Sequence, residues 1–306
     1  MSLTLFVMQC LNGLQLGILL FLMAAGLTLV FGIMNFVNLA HGSLYMMGAF
    51  IAATVYNHTG SFALAAVAIV PAMLVIGLIV EFVALKTLYD RDHLDQVLAT
   101  FGLILFFNEL ARMIWGPSPY YMEVPEWLAG TVNLFGLAYP AYRFLIIVVG
   151  LAVALGCYVL IHRTRIGMLI RAGSTHRQMV GALGVNIVLL NSLLFGLGAI
   201  LAGIAGLMAG PILSVQPGMG EPILILTMVV IVIGGIGSVR GAFLAALIVG
   251  VVDTVGRTAL PALLRSLMER STADTAGPAL ASMLIYLVMA AVLAVRPQGL
   301  FPVKHG

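Results

Sequence analysis

What this sequence lacks is charge. Of 306 residues only 25 are charged, 14 Lys plus Arg and 11 Asp plus Glu, or 8%, where a soluble domain carries about 25%. Nothing charged precedes Glu81, and nothing charged lies between Arg177 and Glu221. With 62% of its residues hydrophobic, a soluble fold of this length would have no surface left to wet, so an ordinary soluble enzyme is excluded. Cysteine is scarce as well. Cys10 and Cys157 both lie in apolar runs, without Cys-x-x-Cys or Cys/His spacing, and suggest neither a disulfide framework nor a zinc site. The two lysines, Lys86 and Lys304, lack the glycine frame of a P-loop, and H-E-x-x-H and G-x-S-x-G are also missing. The six histidines do not cluster at metal-ligand spacing. A net charge of +3 could hint at nucleic acid, but the basic residues sit in short loops between apolar runs, where topology explains them. The first apolar run has no basic region before it and leads straight into more membrane sequence, so it reads as a retained first span.

What is present is apolar sequence in bilayer lengths. A span needs roughly 20 apolar residues, and runs fall near 5–33, 43–57, 62–85, 96–115, 142–161, 188–210, 221–237, 242–261 and 279–295. The fold class expected is an all-α polytopic membrane protein, a single domain over 1–306 with about eight or nine transmembrane helices, some of them broken. The run at 43–57 is too short to span unless it begins near His41. If nine spans alternate, Lys86, Arg91, Arg163, Arg165, Arg171, Arg177, Arg240, Arg296 and Lys304 share one side against Arg112, Arg143, Arg257, Arg265 and Arg270 elsewhere. By the positive-inside rule that side is cytoplasmic, which puts the N-terminus outside and the C-terminus inside.

Two hydrophilic insertions interrupt the runs. Residues 116–140 hold four prolines, two acids and several Tyr and Trp, the composition of an interfacial outer loop. Residues 162–187 are basic and helix-compatible, with Ile166, Leu169, Ile170, Met179, Val180 and Leu183 giving a partly apolar face. Such a helix either rests on lipid headgroups or docks a cytoplasmic partner.

Polar and helix-breaking residues inside membrane runs are tolerated mainly where backbone lines a cavity or is buried in protein. One such place is 32–48, with Asn35, Asn38, His41, Gly42 and Ser43; a second is 209–222, with Pro211, Gln216, Pro217, Gly218, Gly220 and Glu221. Each follows a small-residue helix and precedes another apolar one, a parallel that hints at two related halves with a broken helix apiece. Two ordinary surface loops would give the same letters, and His41 alone reads first as a hydrogen-bonded structural histidine. Asn35, Asn38, His41, Gln216 and Glu221 are the candidates for lining a pathway. Glycines at four-residue spacing in 196–210 and 234–250 imply close helix packing. Glu109 with Arg112, and Asp253 with Arg257, are spaced to pair on one helix face.

At these residues the chain resembles a known family. "GLTLVFGIMNFVNLAHGSLYMMGAF", "ATFGL" with "WGPSP", "RTRIGMLIRAGSTHRQMVGALGVNI" and "GGIGSVRGAFLAALIVG" together are similar to the LivH-type permease subunits of branched-chain amino acid ABC importers, relatives of the urea importer permeases. Leu39 stands where that family usually has Phe. The resemblance implies a non-catalytic subunit that forms half of a translocation pore in a bacterial inner membrane. Its implied partners are a second, homologous LivM-type permease, two cytoplasmic ATPase subunits that carry ATP and Mg, and an extracytoplasmic solute-binding protein. No cofactor is expected on this chain. The segment at 162–187 then matches the family's ATPase-coupling helix, with Arg171, Ala172, Ala182 and Gly184 at motif positions and Met179 and Leu183 on the docking face. Branched-chain amino acids are the family's usual cargo, and urea, amides and aromatic or other carboxylic acids are carried by relatives. The competing class is a stand-alone secondary transporter or channel, which would need a buried ionisable relay.

Overall fold

A computed structural model describes residues 3–301 except 35, 37, 90, 135, 176 and 268. Among the described residues nine helices of 15 residues or more carry the fold: α1 (Leu3–Met34), α2 (His41–Thr59), α3 (Phe62–Val80), α4 (His93–Trp115), α5 (Ala141–Arg163), then, after two short helices α6 (Arg165–Thr175) and α7 (Arg177–Ala182), α8 (Ile187–Ala209), α9 (Gly220–Gly234), α10 (Val239–Leu264) and α11 (Arg270–Val295). Seven of these are long and apolar enough to cross a membrane, α9 is a shorter apolar helix, and α2 is the remaining one. The expected all-α polytopic fold is the one observed, with seven helices of spanning length and the shorter-reaching α2 and α9 on two of the expected runs. The insertion at 116–140 differs from a plain loop: it folds a short turn at Glu126–Leu128 and a two-stranded antiparallel hairpin, β1 (Thr131–Leu134) and β2 (Leu137–Pro140). Gly136 at φ 86° makes the tight return possible, and strands of four residues are too short to show an alternation against apolar surroundings.

Helix directions follow from paired contacts. The end of α1 meets the start of α10 at Gly32 and Gly237, and its start meets α10 further along at Gly13 and Val251, so the two run antiparallel. Leu74 lies against Gly196 and Ile69 against Gly203, which sets α3 antiparallel to α8. Helix α2 begins in the middle of the bundle and ends at the hairpin side, where Asn57 donates to the Tyr121 carbonyl. Helix α9 also begins in the middle but ends at the other side, against Gly241 and the backbone of Phe301. The groups α1–α4 and α8–α11 therefore share one order, a long helix, a break, a shorter helix that starts inside the bundle and two more helices, and traverse it in opposite senses. That is the inverted-repeat plan of many transporters, with α5, α6 and α7 inserted between the halves.

Helix α1 is the hub, uncharged and buried almost all round; a helix apolar on every face belongs in an interior. Close approach replaces side-chain interlock around it. A Cβ on Gly17 would lie 2.7 Å from the Ala246 carbonyl oxygen, and one on Gly48 2.5 Å from the Gly203 Cα. By contrast α3, α4, α5 and α11 turn large apolar side chains such as Val67, Phe106, Leu155 and Leu287 outward, as lipid-facing helices do. Three members of the larger basic group gather at one end. Arg171 donates to the Ile161 carbonyl, Arg240 bonds His162, and Arg296 bonds the Leu300 carbonyl beside the end of α9.

Replacing Gly48 by Val forces backbone apart and should cost about 1–3 kcal/mol, the usual penalty of overpacking. Gly102→Ala, where no atom lies within 4 Å, should cost nothing. Thermal unfolding of the two variants in detergent compares them directly.

Candidate functional site

Helix α1 ends at Met34, yet α2 starts well back inside the bundle. The His41 ring lies so near Gly26 that a Cβ there would sit 3.1 Å from Cε1. Eight residues of α1 separate Gly26 from Met34, about 12 Å of rise, so the chain between the two helices climbs back into the interior. The second break does the same from the opposite side. After α8 the chain pairs Val215 with Tyr120 of the hairpin-side loop, then turns inward through Gly218 at φ 90° to start α9 at Gly220. The two helix starts touch: a Cβ on Gly42 would lie 2.7 Å from the Gly220 carbonyl oxygen and 3.1 Å from the Leu224 Cβ. No other residue fits at either place without moving backbone.

Around this meeting point is a crevice too narrow for a water molecule, with Ser43, Asn108 and Glu221 among polar lining groups and Leu39, Met46 and Leu224 among apolar ones. Asn108, from α4, holds the second break in place. Its Nδ2 donates to Glu221 Oε1 at 2.6 Å, while its Oδ1 accepts from the Gly218 N–H at 3.1 Å. Asn38 is fully buried with neither amide atom partnered, and His41, 1% exposed, has an unpartnered Nε2. The Thr28 hydroxyl and the Asn191 carbonyl oxygen are likewise buried without a partner. Each such atom costs about 1–3 kcal/mol, and buried polar groups are otherwise nearly always satisfied. They mark a place where the resting packing leaves hydrogen-bonding capacity unused.

Of the five pathway candidates, Glu221 lines the crevice, His41 opens α2 beside Gly42 with its ring against Gly26, and Asn38 is buried in the first break. Gln216 is exposed, in the turn that leads to Met219 and Gly220, and Asn35 lies outside the described residues. Sequence reasoning missed Asn108, an amide inside a run that reads as an ordinary span. It also missed Glu81, which is 2% exposed and accepts from the Tyr89 hydroxyl at 3.0 Å and the Ser192 hydroxyl at 2.9 Å. Glu81 opens a π turn, Glu81–Leu85, at the end of α3, and such turns re-aim a side chain; no sequence signal marks it beyond its being the first charge. Among the described residues no group of three His, Cys, Asp or Glu could hold a metal ion.

Within the segment at 162–187 the described residues are helical on both sides of residue 176, as α6 and α7. Gly167 packs against the Leu160 and Ile161 carbonyls, and the Thr164 hydroxyl and the Arg171 guanidinium donate to those same two carbonyls. These bonds satisfy the open C-terminus of α5 and clamp α6 to it. Beyond α7, Gly184 at φ 87° reverses the chain and the Asn186 side chain caps α8 by accepting from the Leu189 N–H. Ile170 and Val180 face the bundle, whereas Ala172, Ala182 and Gly184 are exposed, as are Met179 at 61% and Leu183 at 79%. The apolar face read from sequence is therefore divided, half of it inward and half outward.

A family model described as the permease component of branched-chain amino acid transport systems matches residues 9–293. The high-affinity branched-chain amino acid transport system permease protein BraD of Pseudomonas aeruginosa is 29% identical over 310 residues, covering 96% of this chain and 95% of BraD. The corresponding protein LivH of Salmonella typhimurium is 27% identical over 263 residues, covering 82% of this chain and 85% of LivH. A probable branched-chain amino acid transport permease protein LivH from Methanocaldococcus jannaschii is 25% identical over 253 residues, 78% of this chain and 76% of that protein. No solved structure matches.

Asn108→Ala should remove a charge-assisted hydrogen bond and orphan the Gly218 N–H, lowering stability by about 1.5–3 kcal/mol. Glu221→Gln keeps an acceptor at the same position and should lose less. Unfolding midpoints of the two variants against the parent chain test the order; equal midpoints would show that the Asn108 bridge carries no weight.

Proposed function

This chain belongs to the family of permease components of branched-chain amino acid transport systems, and from that premise we propose that it forms half of the translocation pathway of an ABC importer. The observation that carries the proposal is the meeting of two opposed helix starts at Gly42 and Gly220 inside an apolar bundle. Helix N-termini present unpaired N–H groups and partial positive charge, which suits the carboxylate of an amino acid. Glu221, in the first turn of α9, offers the opposite charge for an ammonium group. Leu39, Met46 and Leu224 give an aliphatic wall for a branched side chain. Asn38 and His41 would use their unpartnered atoms on the solute or on water that accompanies it.

The crevice is closed in this state, so transport requires the helices to shift. A second, homologous permease would complete the path, and an extracytoplasmic binding protein would deliver solute to the hairpin side. Two ATPase subunits, holding ATP and Mg on their own chains, would engage the opposite, basic end, which makes that end cytoplasmic and the N-terminus external. Met179, Ala182, Leu183 and Gly184 are the surface offered to them, with Ala172 beside it and Arg171 fixing α6 on α5. A push on α7 passes through the Gly184 turn into α8, whose glycine face touches α1 at Gly26, α2 at Gly48 and α3 at Met73. Small residues at those crossings let one helix slide on another, and a small displacement becomes a change of access.

Reconstitution in proteoliposomes tests this. Uptake should require the ATPase subunits and ATP, and solute uptake by the permease chains alone would overturn the reading in favour of a stand-alone transporter or channel. Leu183→Asp, at an exposed position, should leave assembly in the membrane intact and abolish transport-coupled ATP hydrolysis; Arg171→Glu should do the same and also loosen α6 from α5. Full coupling in both variants would remove this segment from the mechanism.

A further inference from the structure

We propose that the groove between α1, α5 and α10 is a binding site for an anionic phospholipid, with an acyl chain in the groove and the phosphate on Arg240. The groove has a volume of about 500 Å³ and is walled by Phe21, Leu155, Phe243 and Leu244, with Phe301 beyond them. That is within the roughly 300–1,000 Å³ of ordinary ligand pockets, and Leu155 at 64% exposure and Leu244 at 41% leave its flank open to the membrane. One end is closed by a fixed cation. The Tyr158 and His162 rings stack with centroids 4.5 Å apart, and the Arg240 guanidinium lies over the Tyr158 ring at 5.5 Å. His162 Nδ1 donates to the Tyr158 carbonyl at 3.0 Å, which leaves its Nε2 to accept from Arg240 at 2.9 Å. The ring and this hydrogen bond hold the Arg240 guanidinium in position.

Nothing acidic answers that charge. Arg240 belongs to none of the ion pairs among the described residues, and the segments that build the groove, 3–34, 141–187 and 223–252, contain no Asp or Glu at all. A second recess of about 290 Å³, lined by Ser238 and Arg171, shares Ile161, His162, Val239 and Arg240 with the groove. Apolar groove and polar, basic recess thus meet at Arg240, the geometry of an acyl chain joined to a phosphate. The depth is right as well. His162 is the second-last residue of α5, at the far end of a helix long enough to cross the hydrocarbon, where lipid headgroups lie. Basic pockets between helices at that level suit anionic headgroups.

Native mass spectrometry of the permease assembly in mild detergent, titrated with phosphatidylglycerol, phosphatidylcholine or glycerol phosphate, tests the site. Phosphatidylglycerol should be retained in preference to phosphatidylcholine, and Arg240→Gln should weaken its retention about fivefold. Leu244→Trp, which fills the groove and keeps the arginine, should weaken it too. Equal retention of the two lipids, unchanged retention in both variants, or competition by glycerol phosphate as strong as by the lipid would overturn the proposal. Loss of a co-purifying second permease from Leu244→Trp with lipid retention unchanged would overturn it in favour of a protein-covered groove.

Discussion

The contact on which the rest of this structure depends is backbone against backbone at Gly42 and Gly220. Two helices can start at one point deep in an apolar bundle only if neither carries a side chain there. The starts then need cover for the polar groups they bring with them. Ser43 and Asn108 reach that place from α2 and α4, and Glu221 is tied down by Asn108. Glycine in a helix costs roughly 1 kcal/mol against alanine, yet the same economy of side chains recurs at Gly26 with Gly198, Gly48 with Gly203, and Gly13 and Gly17 with Gly250. In lipid no hydrophobic force drives helices together, so the gain must come from close van der Waals contact. These crossings place α1 and α8 against each other and against the helices that start inside the bundle, and the breaks are held by that frame.

The inverted order of the two halves follows from the same constraint. A helix that starts inside the bundle has one end at the membrane surface and one end within. Two of them pointing opposite ways, α2 to the hairpin side and α9 to the basic side, reach both surfaces from one meeting point. Helices α1 and α8 supply the full-length walls, and α3 and α10 pack antiparallel against the long helix of the other half. A contact at the centre is then bordered by elements from both halves, and a relative shift of the halves alters it without unfolding either one.

Much of this was legible in the letters. Length and hydropathy marked the nine helices, and the uncharged stretch before Glu81 takes in the buried α1 and α2 as well as the outward-facing α3. The Asn and His interruption at 35–41 and the Pro and Gly interruption at 211–220 marked both breaks, because residues that cannot continue an apolar helix are rarely tolerated without cause. What could not be read was the pairing. Asn108 sits in an apolar run where one amide has no visible consequence, and its importance comes from Gly218 and Glu221, more than a hundred residues away. Glu81 fell inside the run at 62–85, marked only as the first charge; the π turn that directs it to Ser192 depends on packing against α8. The division of the 162–187 face into inward Ile170 and Val180 and outward Met179 and Leu183 likewise follows from the clamp of α6 on the end of α5.

The unused hydrogen-bonding capacity of Thr28, Asn38, His41 and Asn191 makes physical sense only for a protein with more than one packing. In a structure with a single task of stability, apolar residues of similar shape would serve better at all four positions. Kept polar and buried, these groups raise the energy of the closed arrangement and lower that of any arrangement that admits water or solute to them. The glycine crossings act the other way, since they are tightest when the helices are fully seated. A closed state strained by its polar groups and held by its smooth contacts is brought nearer to balance than either alone would leave it, so a smaller bias between two packings would be enough to tip it.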